Sequence, residues 1–123
     1  MPLPAHVRDR LRIPVLAAPM FIVSGPDLVI EQCKAGVIGS FPALNARPQE
    51  ELDRWLSRIE TELAQYQLKH PGRKVAPYAV NLIVNKANKR LDADLEVVNL
   101  LGLERLPGDQ RRERALRRQP QAC

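Results

Sequence analysis

The sequence predicts an α/β fold built on a parallel sheet, and three observations carry that expectation. Three short apolar runs lack the polar alternation of a half-exposed strand, as strands covered on both faces do. Segments with helical spacing separate these runs, and clusters of turn residues mark the junctions. A crossover that contains a helix sets successive strands parallel.

The first run, residues 14–20, reads Pro-Val-Leu-Ala-Ala-Pro-Met. Arg8, Arg10 and Arg12 precede it, as basic residues precede a secretion signal, but Pro14 and Pro19 break the helix such a signal needs. It is also shorter than the roughly 20 apolar residues of a membrane span. It reads as a buried strand. Ser24-Gly25-Pro26-Asp27 then predicts a helix start. The Ser24 hydroxyl suits the N-cap, Pro26 is tolerated in the first turn, and Asp27 faces the positive helix end. Leu28, Val29, Gln32 and Cys33 continue this helix, and Gly36 ends it in the left-handed conformation glycine adopts cheaply.

The second run, residues 37–41, completes a βαβ unit. Pro48 opens the next helix, whose Leu52, Leu56, Ile59, Leu63 and Tyr66 recur at steps of four and three among charged neighbours. That spacing gives one buried stripe, with Trp55 at its edge. His70-Pro71-Gly72 stops it. The third run spans residues 75–84, followed by a polar loop through Asn85, Lys86, Asn88 and Lys89. Leu91, Leu95 and Val98 suggest a third helix. Beyond Val98 the text turns rich in Arg and Gln, with Pro107-Gly108 interrupting it and no lysine after Lys89. The expected organisation is an N-terminal extension over 1–10, a folded unit over 11–102, and an Arg-rich tail over 103–123 that is disordered or loosely helical.

Composition narrows the function classes. With 45% hydrophobic and 27% charged residues, the 123-residue chain has the make-up of a soluble globular protein. Its net charge is +5, and the tail supplies three of those charges, since Arg105, Arg111, Arg112, Arg114, Arg117 and Arg118 meet only Glu104, Asp109 and Glu113. The folded unit therefore has no strong electrostatic leaning toward nucleic acid. Phe21, Phe41, Trp55, Tyr66 and Tyr78 are the only aromatics, too few for a base-stacking platform. Cys33 and Cys123 form no metal or redox spacing, so a reducing cytoplasm is the expected compartment and no disulfide framework is expected.

On parallel α/β folds, ligands bind at the C-terminal ends of the strands. That directs attention to residues 19–24, 41–47 and 81–90. No G-x-G-x-x-G follows the first run and no phosphate loop is present; Gly36 and Gly39 suit packing. Asn81, between Val80 and Leu82 in a run expected to be buried, would be costly without partners, which points to a ligand or a buried polar network. Met20 fits core filling as well as a ligand contact. Asn85 and Asn88 read as loop formers, and Lys86 and Lys89 as solvated.

These motifs resemble nitronate monooxygenases, the flavin barrels also called 2-nitropropane dioxygenases. Pro14-Val15-Leu16-Ala17-Ala18-Pro19-Met20, with Ser24 and Leu28, is similar to their first strand. Ala35-Gly36-Val37-Ile38-Gly39-Ser40, followed by Leu44-Asn45 and the Pro48–Leu52 helix start, is similar to the second, and Pro77-Tyr78-Ala79-Val80-Asn81-Leu82 to the third. The resemblance spans residues 10–97. It implies the first three βα units of a TIM (β/α)8 barrel, incomplete here, with FMN at the C-terminal mouth. It also implies Ala18, Pro19 and Met20 against the flavin ring, and Asn81 at its polar edge. Small nitronates or nitroalkanes and oxygen are the implied substrates, with carbonyl compounds and nitrite as products.

No catalytic residue is assigned by the resemblance: His6 and His70 do not match the family's base, which belongs to a later strand. A complete barrel of this class takes about 250 residues, so the chain is expected to be inactive alone and to self-associate through open sheet edges. Out-of-frame coding after about Val98 would account for the change in the tail. The alternative from another class is a noncatalytic α/β module whose basic tail binds nucleic acid or an acidic partner.

Overall fold

The computed structural model describes residues 3–104, with side chains through Val98. In order, the elements are α1 (Ala5–Arg8), α2 (Pro26–Lys34), β1 (Ser40–Pro42), a 3-10 turn (Ala43–Asn45), α3 (Glu51–Lys69), β2 (Ala79–Asn81) and α4 (Leu91–Glu104). β1 and β2 pair in parallel, Ser40 opposite Ala79 and Pro42 opposite Asn81. A single parallel bridge, Leu16 to Ile38, adds the first apolar run on the other side of β1. The three runs thus lie side by side in chain order and point the same way.

α2 and α3 pack against each other over the sheet, a singly wound arrangement. Between them lies the core. Val29, Ile30 and Cys33 come from α2; Leu52, Leu56, Ile59 and Leu63 come from α3; Phe41 and Val75 come from the sheet side. The stripe on α3 is the one its spacing predicts, and Trp55 closes its edge by meeting Phe41 edge-to-face at 5.6 Å. His70 caps α3, with its N–H donating to Tyr66 O at 2.9 Å.

Two glycines do what a larger residue there could not. Gly36 sits at φ +85, and a Cβ there would lie 2.5 Å from Arg12 Cγ. Arg12 N donates to Gly36 O at 3.0 Å, so this turn also anchors the approach to the first run. A Cβ on Gly39 would stand 2.6 Å from the Val29 carbonyl, so the backbone here runs close against α2.

Three expectations need correction. Residues 14–20 are not buried on both faces: Val15 and Leu16 are exposed, Leu16 at 57%. This run is the outer strand of the described sheet and makes one bridge, so no neighbour covers its far side. Ser24 is not the N-cap of α2; Gly25 holds that place without a side-chain cap. The Ser24 hydroxyl instead accepts from Met20 N at 2.8 Å, closing the loop before the helix. The third run is strand only over Ala79–Asn81, because the residues on either side have no partner strand to register with.

α4 continues past Val98, where the sequence suggested a change, to Glu104. Most of the expected tail lies outside the described residues, as does Cys123. Among the described residues no helix is long and apolar enough to cross a membrane.

Candidate functional site

Parallel pairing brings the ends of the three runs to one rim. Leu16 pairs with Ile38 and Pro42 with Asn81. Met20 follows Leu16 by as many residues as Pro42 follows Ile38, so Met20, Pro42 and Asn81 leave the sheet on the same side. The segments at this rim carry Ala18, Pro19 and Met20, then Ala43–Arg47, then residues 82–90.

The first loop is held from within and from its neighbour. Ser24 N donates to Met20 O at 3.0 Å, and Ser24 itself is buried. Asn45, on the turn after β1, donates from Nδ2 to Met20 O and to Ser24 O, both at 2.9 Å. Its Oδ1 accepts the Ile22 N–H at 3.1 Å. Ser40 Oγ donates to Ala17 O just below. Ile22 has φ 67, a left-handed conformation that a β-branched residue adopts at a cost of about 1–3 kcal/mol. With its backbone tied inward, the loop turns apolar side chains outward: Met20 is 43% exposed and Ile22 79%. The guanidinium of Arg47 lies 5.7 Å from the Phe21 ring centre.

The middle loop is held from the third. Arg90 Nη1 donates to Ala46 O at 2.8 Å and Nη2 to Ala43 O at 3.4 Å, while Nη2 also meets Asp94 Oδ1 at 3.2 Å. Asp94 is fully buried in the first turn of α4. The loop between β2 and α4 folds by the means its sequence suggested. Ala87 N donates to Asn85 Oδ1 at 2.9 Å and Arg90 N to Asn88 Oδ1 at 3.1 Å, the local turns that asparagine favours. Lys86 and Lys89 are exposed.

Asn81 departs from expectation. Its side chain is exposed, because β2 ends there and no further strand of the described residues covers it. Desolvation therefore does not compel a partner for it; what the geometry gives is an accessible amide on the rim that also holds Met20. Ala18 is exposed and Pro19 half-buried on the same rim.

Charge sharpens the picture. The rim segments 17–26, 41–49 and 80–91 contain Arg47, Lys86, Lys89 and Arg90, and Asp27, Glu50 and Asp92 follow directly at their ends. Arg90 is committed to Asp94 and Arg47 donates from Nε to Leu44 O at 3.1 Å, while Lys86 and Lys89 are exposed. The amide of Asn81 adds donor and acceptor capacity of the kind a pyrimidine edge needs.

A cavity of about 430 Å³ lies elsewhere, lined by Arg10, Glu60, Leu63, Val75, Pro77 and Tyr78 among others. Its walls come from the end of α3 and the approach to β2, opposite the rim. Tyr78 Oη donates to Glu60 Oε1 at 2.7 Å there, and burial pushes the phenol above its ordinary range. Arg10 Nε donates to Val75 O at 3.1 Å, tying the N-terminal segment across this end. His6 in α1 and His70 at the end of α3 belong to this opposite end too. Cys33 is buried, and burial raises its thiol above the usual value. Among the described residues no group of His, Cys, Asp and Glu is placed to hold a metal ion.

Sequence reasoning missed two parts of this arrangement. Asn45 appeared only inside a motif, and its three hydrogen bonds depend on a loop more than twenty positions away. Arg90 and Asp94 carried a faint signal, the i,i+4 spacing of opposite charges, with nothing to say the pair is buried. Against family models, curated proteins and solved structures, the chain finds no match.

Proposed function

We propose that this chain is the N-terminal portion of an FMN-dependent nitronate monooxygenase, three βα units of a TIM barrel whose rim contributes to the flavin site. The observation that supports this reading is the shared rim of Met20 and Asn81, the two positions the sequence motifs single out, reached by parallel strands in chain order. The singly wound helices agree with a barrel segment.

In this reading Ala18, Pro19 and Met20 offer backbone and apolar surface to the ring face, and Asn81 serves the pyrimidine edge. When bound, FMN supplies the redox chemistry by which a nitronate and oxygen become a carbonyl compound and nitrite. The chain's own residues bind and orient; none of the described residues on the rim is assigned the base. His6 and His70 stand at the wrong end of the sheet to remove a proton there, so purified chain is expected to consume nitronate no faster than free FMN.

Titrating FMN with the purified full chain tests the reading through flavin fluorescence. Saturable quenching is expected. Asn81→Ala should weaken it by about tenfold, the loss of one well-placed hydrogen-bonding group, while Asn85→Ala leaves it unchanged. Absence of saturable quenching, or equal effects of the two substitutions, refutes the assignment.

A further inference from the structure

We propose that Asn45 is the positioning residue of this rim: its side-chain amide holds the 20–24 loop in a conformation the loop would not keep alone. The strain is local and visible. Ile22 is the one non-glycine residue among those described with a positive φ, and its side chain gains no burial in return. A β-branched residue stays left-handed only when its surroundings over-determine it.

Asn45 supplies that determination with every polar group it has. A primary amide offers one acceptor and two donor hydrogens at the end of a short side chain. Oδ1 takes the Ile22 N–H, and Nδ2 serves the carbonyls of Met20 and Ser24. Aspartate lacks the donors, while serine and threonine lack the second polar atom. The Ser24 hydroxyl accepts the Met20 N–H, so Met20 is fixed at both its N–H and its C=O.

Asn45 is itself held. It ends the turn Ala43–Asn45, whose flanking carbonyls, Ala43 O and Ala46 O, are both gripped by Arg90, and Arg90 is oriented by the buried Asp94. Position therefore passes from α4 through Arg90 to the Asn45 turn and on to Met20. All three rim loops are one hydrogen-bonded unit, and Asn45 is its hinge pin. The role rests on the flavin reading only in naming what the ordered Ala18–Met20 edge is held to meet.

Amide exchange by NMR on the full-length chain, alongside FMN quenching, tests this. In Asn45→Ala the Ile22 amide should exchange about tenfold faster or more, as local opening loses its cost, and FMN should bind about tenfold more weakly. Asn45→Asp is the isosteric control should the alanine variant fold poorly. It keeps the shape and the acceptor, loses both donors, and should weaken FMN to the same degree. Ile22→Gly added to Asn45→Ala should restore part of the FMN affinity, because glycine accepts the left-handed conformation unaided; a merely structural role for Asn45 would not be rescued from that position. Unchanged Ile22 exchange in Asn45→Ala, or FMN quenching indifferent to both Asn45 variants, overturns the proposal. If the native chain does not quench FMN at all, the flavin reading fails, and the exchange rates alone decide the positioning role.

Discussion

The apolar stripe of the α2–α3 layer and the first apolar run use the same kinds of side chain and meet opposite fates. Leu52, Leu56 and Ile59 are buried almost without remainder, whereas Ile13, Val15 and Leu16 stand about half exposed. Nothing in side-chain type separates them. The difference is partnership: the α3 stripe shares one core with α2, Phe41 and Val75, while residues 14–20 pair with one neighbouring strand through one bridge. Hydrophobicity creates a demand for cover, and topology decides where it is met.

The largest test of this contrast lies in the packed layer. Leu56→Ala should destabilise the chain by about 2–5 kcal/mol, since the removed atoms leave a cavity that α2 and β1 cannot close. Urea unfolding followed by circular dichroism measures it, and a loss under 1 kcal/mol would mean that the layer is loosely packed.

A smaller effect comes from Cys33 in the same layer. Its thiol is held above the ordinary value of 9.0 by burial, so the folded chain keeps this proton at pH values where the unfolded chain releases it. The sign follows by linkage: this contribution is whole below the unfolded thiol range and declines as pH rises through it. Stability should thus fall on going above pH 9.0, and Cys33→Ser should lessen that slope. Iodoacetamide labelling of Cys33, read in the Cys123→Ser chain, should stay slow until the chain unfolds; rapid labelling there at neutral pH would contradict the burial.

The smallest effect on stability belongs to the exposed run, and it tests association instead. Leu16→Lys should change unfolding free energy by no more than about 0.5 kcal/mol, because the side chain loses little burial. A charge on the outer strand should nonetheless oppose edge-to-edge pairing. Sedimentation at rising concentration should show less association than the native chain; equal association would place the contact elsewhere.

Much of the framework could be read along the chain. The stripe on α3 was legible because helical periodicity is local and strong, and its C-terminal end was legible from His70-Pro71-Gly72; its start was not, since the helix begins at Glu51 and not at Pro48. Gly36 was legible because a left-handed cap demands it. The rim was only half legible. Position told where ligands bind on such folds, yet the burial expected for Asn81 from its apolar neighbours Val80 and Leu82 failed, since among the described residues no strand covers the far side of β2. The Ser24 cap failed for a related reason. Its hydroxyl had two backbone amides within reach, and the sequence does not rank them.

By itself the sequence determined the alternation of strands and helices, their parallel direction, and which face of α3 turns inward. All of these follow from spacing within a few residues or from the length of a crossover. Tertiary structure alone decided that Asn45 would join Met20, Ile22 and Ser24, and that Arg90 would bury its charge with Asp94 beneath the turn. Such contacts link loops distant in the chain, and a hydrogen bond depends on ångström-scale placement that no periodicity encodes.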